Sequence, residues 1–138
     1  MPTRTFPGRY DSLEQLGEYV SNLAAAAGLD ENEVYAVQLA VDEAASNIIE
    51  HSYGGENRGD IEVVCNVQDN KIEVVLRDKG KSFVPEEVPE LQMGVPLEEF
   101  GPGGAGLMLM NKLMDEVRFE FRQGGNILTM VKRKKQNA

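Results

Sequence analysis

Hydrophobic residues recur at helical spacing in two stretches near the start of the chain. Apolar positions three and four residues apart form one face of a helix, and the first stretch contains Leu13, Leu16, Val20 and Leu23. Asp11 or Ser12 can cap the start of this helix, and Gly28 ends it. Asp30 caps a second helix that runs to about Ser52. The pattern therefore predicts two consecutive helices.

Shorter apolar stretches bounded by turn residues predict five strands, at about residues 4–6, 60–68, 71–77, 116–121 and 126–133. A buried helix is predicted at residues 106–114. Residues 78–105 form a long irregular stretch that holds four of the six prolines, which is typical of a lid, a binding loop or a disordered linker. The order βααββ, loop, αββ predicts one domain over residues 1–138, a two-layer α/β sandwich. Its helices lie on one face of a mainly antiparallel, mixed sheet.

The second predicted helix carries a polar stripe beside its apolar face. At about 100° per residue, the apolar face that packs on the sheet contains Val34, Val37, Val41, Ala44 and Ile48. Glu43, Asn47 and His51 form another stripe, which small and apolar residues extend towards the N-terminus. Such oxygen ligands suit Mg²⁺, and Glu43 lies one turn from Asn47, close enough to act on a hydroxyl or water there. An ordinary polar pair on a helix surface would show the same spacing.

A glycine-rich string, Gly101-Pro102-Gly103-Gly104-Ala105-Gly106, leads directly into the predicted helix at residues 106–114. A helix start offers unpaired N–H groups and a positive dipole end, so phosphate is its natural occupant. The string matches G-x-G-x-x-G, but no buried strand precedes it and no Gly-Lys-Ser/Thr is present, which argues against a dinucleotide fold and a P-loop. A flexible hinge is the alternative.

Asp78-Lys79-Gly80 stands at the end of a predicted strand. A carboxylate in this position can accept a hydrogen bond from an exocyclic amine, and Gly80 lets a flat base lie close to the backbone. A plain surface turn would have the same sequence.

Composition and charge argue against several classes of function. A net charge of −9 and a pI near 4.6 argue against direct nucleic-acid binding, which needs a basic face. Cys65, the single cysteine, lies in an apolar run, which favours a buried thiol in a reducing compartment. No signal peptide and no apolar run of membrane-spanning length is found in the sequence. We therefore expect a cytoplasmic protein with no membrane contact.

Taken together and in this order, the three motifs resemble the GHKL ATP-binding superfamily, which includes DNA gyrase and sensor histidine kinases. Glu43-x-x-x-Asn47-x-x-x-His51 is similar to its N-box, Asp78-x-Gly80 to its first glycine box and the run to Gly106 to its second. The resemblance implies a Bergerat-type ATP-binding fold with an ATP lid at residues 79–105. It also implies that Asn47 ligates Mg²⁺, Glu43 is the general base and Asp78 binds the adenine amine. Further nucleotide contacts implied by the resemblance are His51, Gly80, Phe83, Gly101, Gly103, Gly104, Ala105, Gly106, Leu107 and Thr129.

Within the superfamily, the chain is most similar to bacterial anti-sigma-factor serine/threonine kinases. The similar segments include Val41-Asp42-Glu43-Ala44, residues 47–53, Leu113-Met114-Asp115-Glu116-Val117 and Gly125-Asn126-x-Leu128-Thr129-Met130. The resemblance implies a kinase that uses ATP and Mg²⁺ on a small STAS-like antagonist protein, sequesters a sigma factor and forms a homodimer. A non-catalytic ATP-binding switch and a water-directed ATPase remain alternatives, because Glu43 would serve a hydroxyl or a water equally.

Overall fold

A five-stranded sheet carries the helices on one face, in a computed structural model that describes residues 2–81, 104–122 and 124–135. For residues 104–107 the description covers the backbone. The predictions for Phe83, Gly101, Gly103 and most of the lid lie outside the described residues. In chain order the elements are β1 (Thr3–Pro7), α1 (Leu13–Ala26), α2 (Glu31–Asn47), β2 (Asp60–Gln68), β3 (Lys71–Asp78), α3 (Gly104–Leu113), β4 (Glu116–Arg122) and β5 (Gly125–Arg133).

The spatial order of the strands is β1-β2-β3-β5-β4, and every neighbouring pair of these described strands is antiparallel. The predicted layered architecture and its antiparallel character are confirmed, but the expectation of a mixed sheet is wrong. The connection through α3 brings the chain into β4 running parallel to β3. Because β5 then lies between these two strands, they are not neighbours and no parallel ladder forms among them.

The helices cover one face of the sheet because the strands alternate between buried and more exposed residues. In β3, Ile72, Val74 and Leu76 are buried, and the residues between them are only partly so. From the helices, Leu16, Val20, Val37, Val41 and Ile48 complete the same apolar cluster. Cys65 belongs to this core, where burial raises the pKa of its thiol to about 11, so the prediction of a buried thiol is confirmed.

The first helix ends in a glycine cap. Gly28 has φ +98°, and the N–H groups of Gly28 and Leu29 donate to the carbonyls of Ala25 and Ala24. This is the Schellman arrangement, in which glycine adopts the left-handed conformation at low cost. Gly28 therefore ends the helix as predicted.

A capping box starts α2. The Asp30 carboxylate accepts from the Glu33 N–H at 2.8 Å, and the Glu33 carboxylate accepts from the Asp30 N–H at 2.9 Å. Glu33 also accepts from the Lys135 N–H at 2.6 Å, so the end of the chain's described part is attached to the start of this helix.

One predicted helix changes type before its predicted end, and another begins earlier than predicted. The α-helical part of α2 ends at Asn47 and a π-turn, Ile48–Ser52, follows it, with the Tyr53 N–H donating to the Ile48 carbonyl at 3.0 Å. Helix α3 begins at Gly104, two residues before the predicted start. Glycine has a low helix propensity, which is why the sequence pattern places Gly104 in the irregular stretch before the helix. Among the described residues, no helix combines the length and apolar character needed to cross a membrane.

Candidate functional site

Asp78 is the last residue of β3, and its side chain lies on the helix-covered face with 5% of its surface exposed. Its Oδ1 accepts from the Gly80 N–H and the Asn126 amide, each at 2.9 Å, and its Oδ2 accepts from the Ser52 hydroxyl at 3.3 Å. Burial raises the pKa of Asp78, while these donors act in the opposite direction. The carboxylate is thus buried and held in one orientation.

The sequence motif Asp-x-Gly has a steric basis in this turn. A Cβ on Gly80 would lie 2.3 Å from the Ser52 carbonyl oxygen and 2.5 Å from its carbon, a separation that real Cβ atoms do not reach. Only glycine therefore lets the chain after β3 pass so close to the end of the π-turn. The Lys81 N–H donates to the same Ser52 carbonyl at 2.9 Å. Asp78-x-Gly80 is a specific packing arrangement and not a plain surface turn.

Asn126 also belongs to this site, although no role for its side chain is predicted from the sequence. It lies directly opposite Asp78 in the β3–β5 ladder and is 3% exposed. Its amide donates to Asp78 Oδ1 at 2.9 Å, to the Lys81 carbonyl at 2.9 Å and to the Ser52 hydroxyl at 3.2 Å. Asn126 could have been identified from the pairing register of β3 and β5, two strands that are distant in the chain. Ser52, buried between the two side chains, was missed for the same reason.

Asn47 ends the α-helical part of α2 with only 3% of its surface exposed. Within the described part of the chain, its buried Nδ2 has no hydrogen-bond partner. Leaving a buried amide donor unsatisfied costs about 1–3 kcal/mol. An amide in this state is suited to a ligand that brings acceptor oxygens, and its Oδ1 is suited to a hard cation.

Glu43 lies one helical turn before Asn47 and is half-buried. Desolvation raises the pKa of its carboxyl, the negative charges of Glu50 and Asp42 raise it further, and His51 lowers it. A raised pKa brings a carboxylate closer to the range in which a general base works at neutral pH. Glu43 and Asn47 thus lie one helical turn apart on α2.

His51 lies inside the π-turn that follows Asn47, where each turn holds more residues than in an α-helix. Its Nε2 is 3.9 Å from a carboxylate oxygen of Glu50. The side chain is 26% exposed, and its part in nucleotide binding stays a prediction.

Thr129 is not brought to the site, and its assignment as a nucleotide contact is wrong. Along β5 the buried residues Asn126, Leu128 and Met130 face the helices. Because successive side chains of a strand point to opposite faces, Thr129 lies on the face that the helices leave open. Asn126 is the β5 residue that lies beside Asp78.

The glycine run is only partly described. The backbone of residues 104–106 forms the first turn of α3, a helix that packs against α2. Gly104, Ala105, Gly106 and Leu107 are therefore at a helix N-terminus, where N–H groups lack helical partners, and their contacts with phosphate stay predictions. In the described part of the chain, no group of three or more His, Cys, Asp or Glu side chains is placed to hold a metal ion.

Comparison with known protein families shows which family this chain belongs to. A family model described as a histidine kinase-like ATPase domain matches residues 6–132, nearly the whole chain. The chain belongs to this family. The resemblance of the three motifs to GHKL proteins is thereby confirmed.

The curated relatives are serine-protein kinases named RsbW. The one from Listeria innocua is 32% identical over 123 residues, which cover 86% of this chain and 77% of the relative. The one from Bacillus velezensis is 32% identical over 109 residues, covering 76% and 68%. At this identity and coverage, the chain also belongs to the RsbW family of kinases.

Solved structures show the same fold. The RsbU and RsbW domains of a Mycobacterium tuberculosis protein match with a TM-score of 0.68 at 18% identity, over 100% of this chain and 34% of that one. The catalytic domain of the histidine kinase ThkA matches with a TM-score of 0.58 at 16% identity, covering 97% and 98%. This chain thus spans about a third of the first structure and almost all of the second.

Proposed function

We propose that this protein is a kinase that transfers the terminal phosphoryl group of ATP to a serine or threonine hydroxyl of a small partner protein. The observation that carries the proposal is the pair on α2, a half-buried Glu43 one turn before a buried Asn47 whose amide lacks a partner among the described residues. The membership in the RsbW family supports the same reaction.

Asp78 is the proposed recognition point for the base. Its Oδ1 already accepts two hydrogen bonds, whereas its Oδ2 accepts one, at 3.3 Å. A carboxylate oxygen has more than one acceptor position, so Oδ2 can accept from the exocyclic amine of adenine. The corresponding carbonyl of guanine would be repelled by the same atom. The proposed nucleotide is therefore ATP.

Asn47 is the proposed protein ligand of Mg²⁺, through its Oδ1, and its unsatisfied Nδ2 can donate to a phosphate oxygen. Mg²⁺ commonly takes one or two protein ligands and completes its coordination with water and substrate phosphates. Bound Mg²⁺ supplies charge neutralisation to phosphoryl transfer. The backbone N–H groups at the start of α3 are suited to anionic oxygens.

Glu43 is the proposed general base. It accepts the proton of the partner's hydroxyl as the oxygen becomes the new ester oxygen, and its raised pKa suits this role. General-base assistance of this kind accelerates a reaction by about 10²–10⁴-fold.

The proposed partners are a STAS-like antagonist as the phosphorylated substrate and a sigma factor as the sequestered protein, with a homodimer as the working form. They follow from the RsbW relatives and not from a surface of this chain. A net charge of −9 is compatible with a basic helical partner, since complementary charge favours encounter.

The test compares Glu43→Gln, Asn47→Ala and, as a control in the exposed first turn of the same helix, Glu31→Gln. With labelled ATP, Mg²⁺ and a candidate antagonist, Glu43→Gln should lose phosphate transfer by about 10²–10⁴-fold while it still binds ATP. Asn47→Ala should lose Mg²⁺-dependent ATP binding, and Glu31→Gln should behave like the wild type.

Phosphate transfer at wild-type rates by both site variants would refute the assignment. ATP binding by the wild type without transfer to any antagonist would point to a non-catalytic switch, and partner-independent phosphate release to an ATPase.

A further inference from the structure

Tyr53 follows the π-turn and joins two segments through its hydroxyl. The hydroxyl donates to the Asp60 carbonyl at 2.6 Å and accepts from the Lys79 N–H at 3.0 Å. Asp60 begins β2, and Lys79 is the residue between Asp78 and Gly80. One side chain thus bonds to the base-recognition turn and to the start of the neighbouring strand.

The Tyr53 ring is held in place by glycines that leave room for it. A Cβ on Gly59 would lie 2.3 Å from Cε1 of the ring and 2.7 Å from its hydroxyl oxygen. Gly8 also lies against the ring, and its N–H donates to the Gly59 carbonyl at 2.8 Å. With its ring packed on backbone, Tyr53 presents its hydroxyl at a defined point.

Three hydrogen bonds attach the turn after β3 to Ser52, the last residue of the π-turn, and to Tyr53, which follows it. The Ser52 hydroxyl donates to Asp78, the Ser52 carbonyl accepts from the Lys81 N–H, and the Tyr53 hydroxyl accepts from the Lys79 N–H. The first two depend on Ser52. The third, from the Lys79 N–H to the Tyr53 hydroxyl, does not depend on Ser52 and would be lost if the hydroxyl were removed.

We propose that the Tyr53 hydroxyl is a positioning group that fixes the turn of residues 78–80 and so sets the affinity of the site for the adenine base. This inference rests on the proposed function, because it takes the Asp78 turn as the place where the base binds. Tyr53 acts through Asp78 and Gly80 and need not touch the nucleotide.

The two hydrogen bonds of the Tyr53 hydroxyl lie where water has access. Water can therefore replace the lost partner on the Lys79 N–H and on the Asp60 carbonyl, so removal of the hydroxyl should cost little folding stability. A water does not hold the turn at one position relative to the π-turn. The main effect should appear in base binding.

The experiment uses Tyr53→Phe, which keeps the ring over Gly59 and removes only the hydroxyl. Tyr19→Phe is the matched control, because Tyr19 is also half-buried and packs against Phe6 and Arg4, away from the Asp78 turn. Affinities for adenosine and for Mg²⁺-tripolyphosphate are measured separately by displacement of a fluorescent ATP analogue, and melting temperatures are measured without ligand.

Tyr53→Phe should weaken adenosine binding by about threefold to tenfold, the equivalent of one hydrogen bond, with unchanged tripolyphosphate binding. Its melting temperature should fall no further than that of Tyr19→Phe, which should keep both affinities. Unchanged adenosine binding, or an equal loss for both probes, would overturn the positioning role alone. Failure of the wild type to bind either probe would overturn the proposed function together with it.

Discussion

Glu43 is a carboxylate that the fold holds partly out of water, with further negative charge nearby. Desolvation is the largest cause of its raised pKa, and Glu50 contributes the next largest part through its charge, ahead of Asp42. Glu50 is itself about half exposed, and it accepts from the Tyr10 hydroxyl at 3.0 Å. The basicity of Glu43 can therefore be changed from a surface position that takes no part in the proposed chemistry.

Glu50→Gln should move the acid limb of the pH profile of kcat to lower pH. A base must be ionised to act, and the negative charge of Glu50 favours the protonated form of Glu43. Removal of that charge lowers the pKa of Glu43, so the active form persists further into acid. Glutamine keeps an oxygen that can accept from Tyr10. Phosphate transfer measured from pH 4 to pH 8 checks the shift.

The control for this shift is Glu31→Gln, which removes one negative charge from the exposed first turn of α2, far from Glu43 along the helix. It should leave the acid limb unmoved. An equal shift in both variants would mean that net charge, and not the proximity of Glu50, sets the profile.

At the scale of elements, the helix and strand types could be predicted from hydrophobic spacing, but the π-turn at Ile48–Ser52 could not. Ile48 and Ile49 are both buried, and two adjacent apolar residues fit an α-helix as well as a π-turn. The π-turn places Ser52 beside Asp78 and Asn126, residues that are distant in the sequence. The local sequence pattern identified Glu43, Asn47 and Asp78. The position of Asn126 beside Asp78, and of Thr129 on the other face of the sheet, follows only from the folded structure.

The capping box of α2 should make a measurable contribution to stability. Asp30→Ala removes the acceptor for the Glu33 N–H and should lower the free energy of unfolding by about 0.5–2 kcal/mol. Urea denaturation followed by circular dichroism measures the change. Ser12→Ala is the comparison, because Ser12 is the N-cap of α1 but makes no side-chain capping bond. A loss for Ser12→Ala as large as that for Asp30→Ala would show that capping is not the cause.

At the scale of the whole molecule, a single hydrophobic cluster draws residues from both long helices, from α3 and from four of the five strands, with Phe6 contributed by β1. The sequence predicted one two-layer domain because its elements are too few and too short for two cores. The sequence could not exclude a parallel pair of strands, because such a pair would form if β4 lay directly beside β3. The order of the strands in space, with β5 between β3 and β4, is known only from the assembled sheet.

Because the core is continuous, we expect the domain to unfold in one cooperative transition. The chain has four tyrosines and no tryptophan, so tyrosine fluorescence and far-ultraviolet circular dichroism give two separate probes. Their urea midpoints should coincide. Addition of Mg²⁺-ATP at about 100 times its Kd should raise the free energy of unfolding by about 2.7 kcal/mol, and Asn47→Ala should lose this gain. Two separated midpoints would contradict a single cooperative core.

Because Asp78 pairs with Asn126 across β3 and β5, the proposed base site depends on whether an insertion shifts β5 by an odd or an even number of residues. Since side chains alternate between faces, one inserted residue between the β4–β5 turn and Asn126 would turn its amide away from Asp78. Two inserted residues would restore the face but move the amide about 7 Å along the strand. We therefore expect the proposed base site to tolerate changes in the length of this hairpin only where they leave the β3–β5 alignment unchanged, because that alignment sets the distance between the Asn126 amide and Asp78.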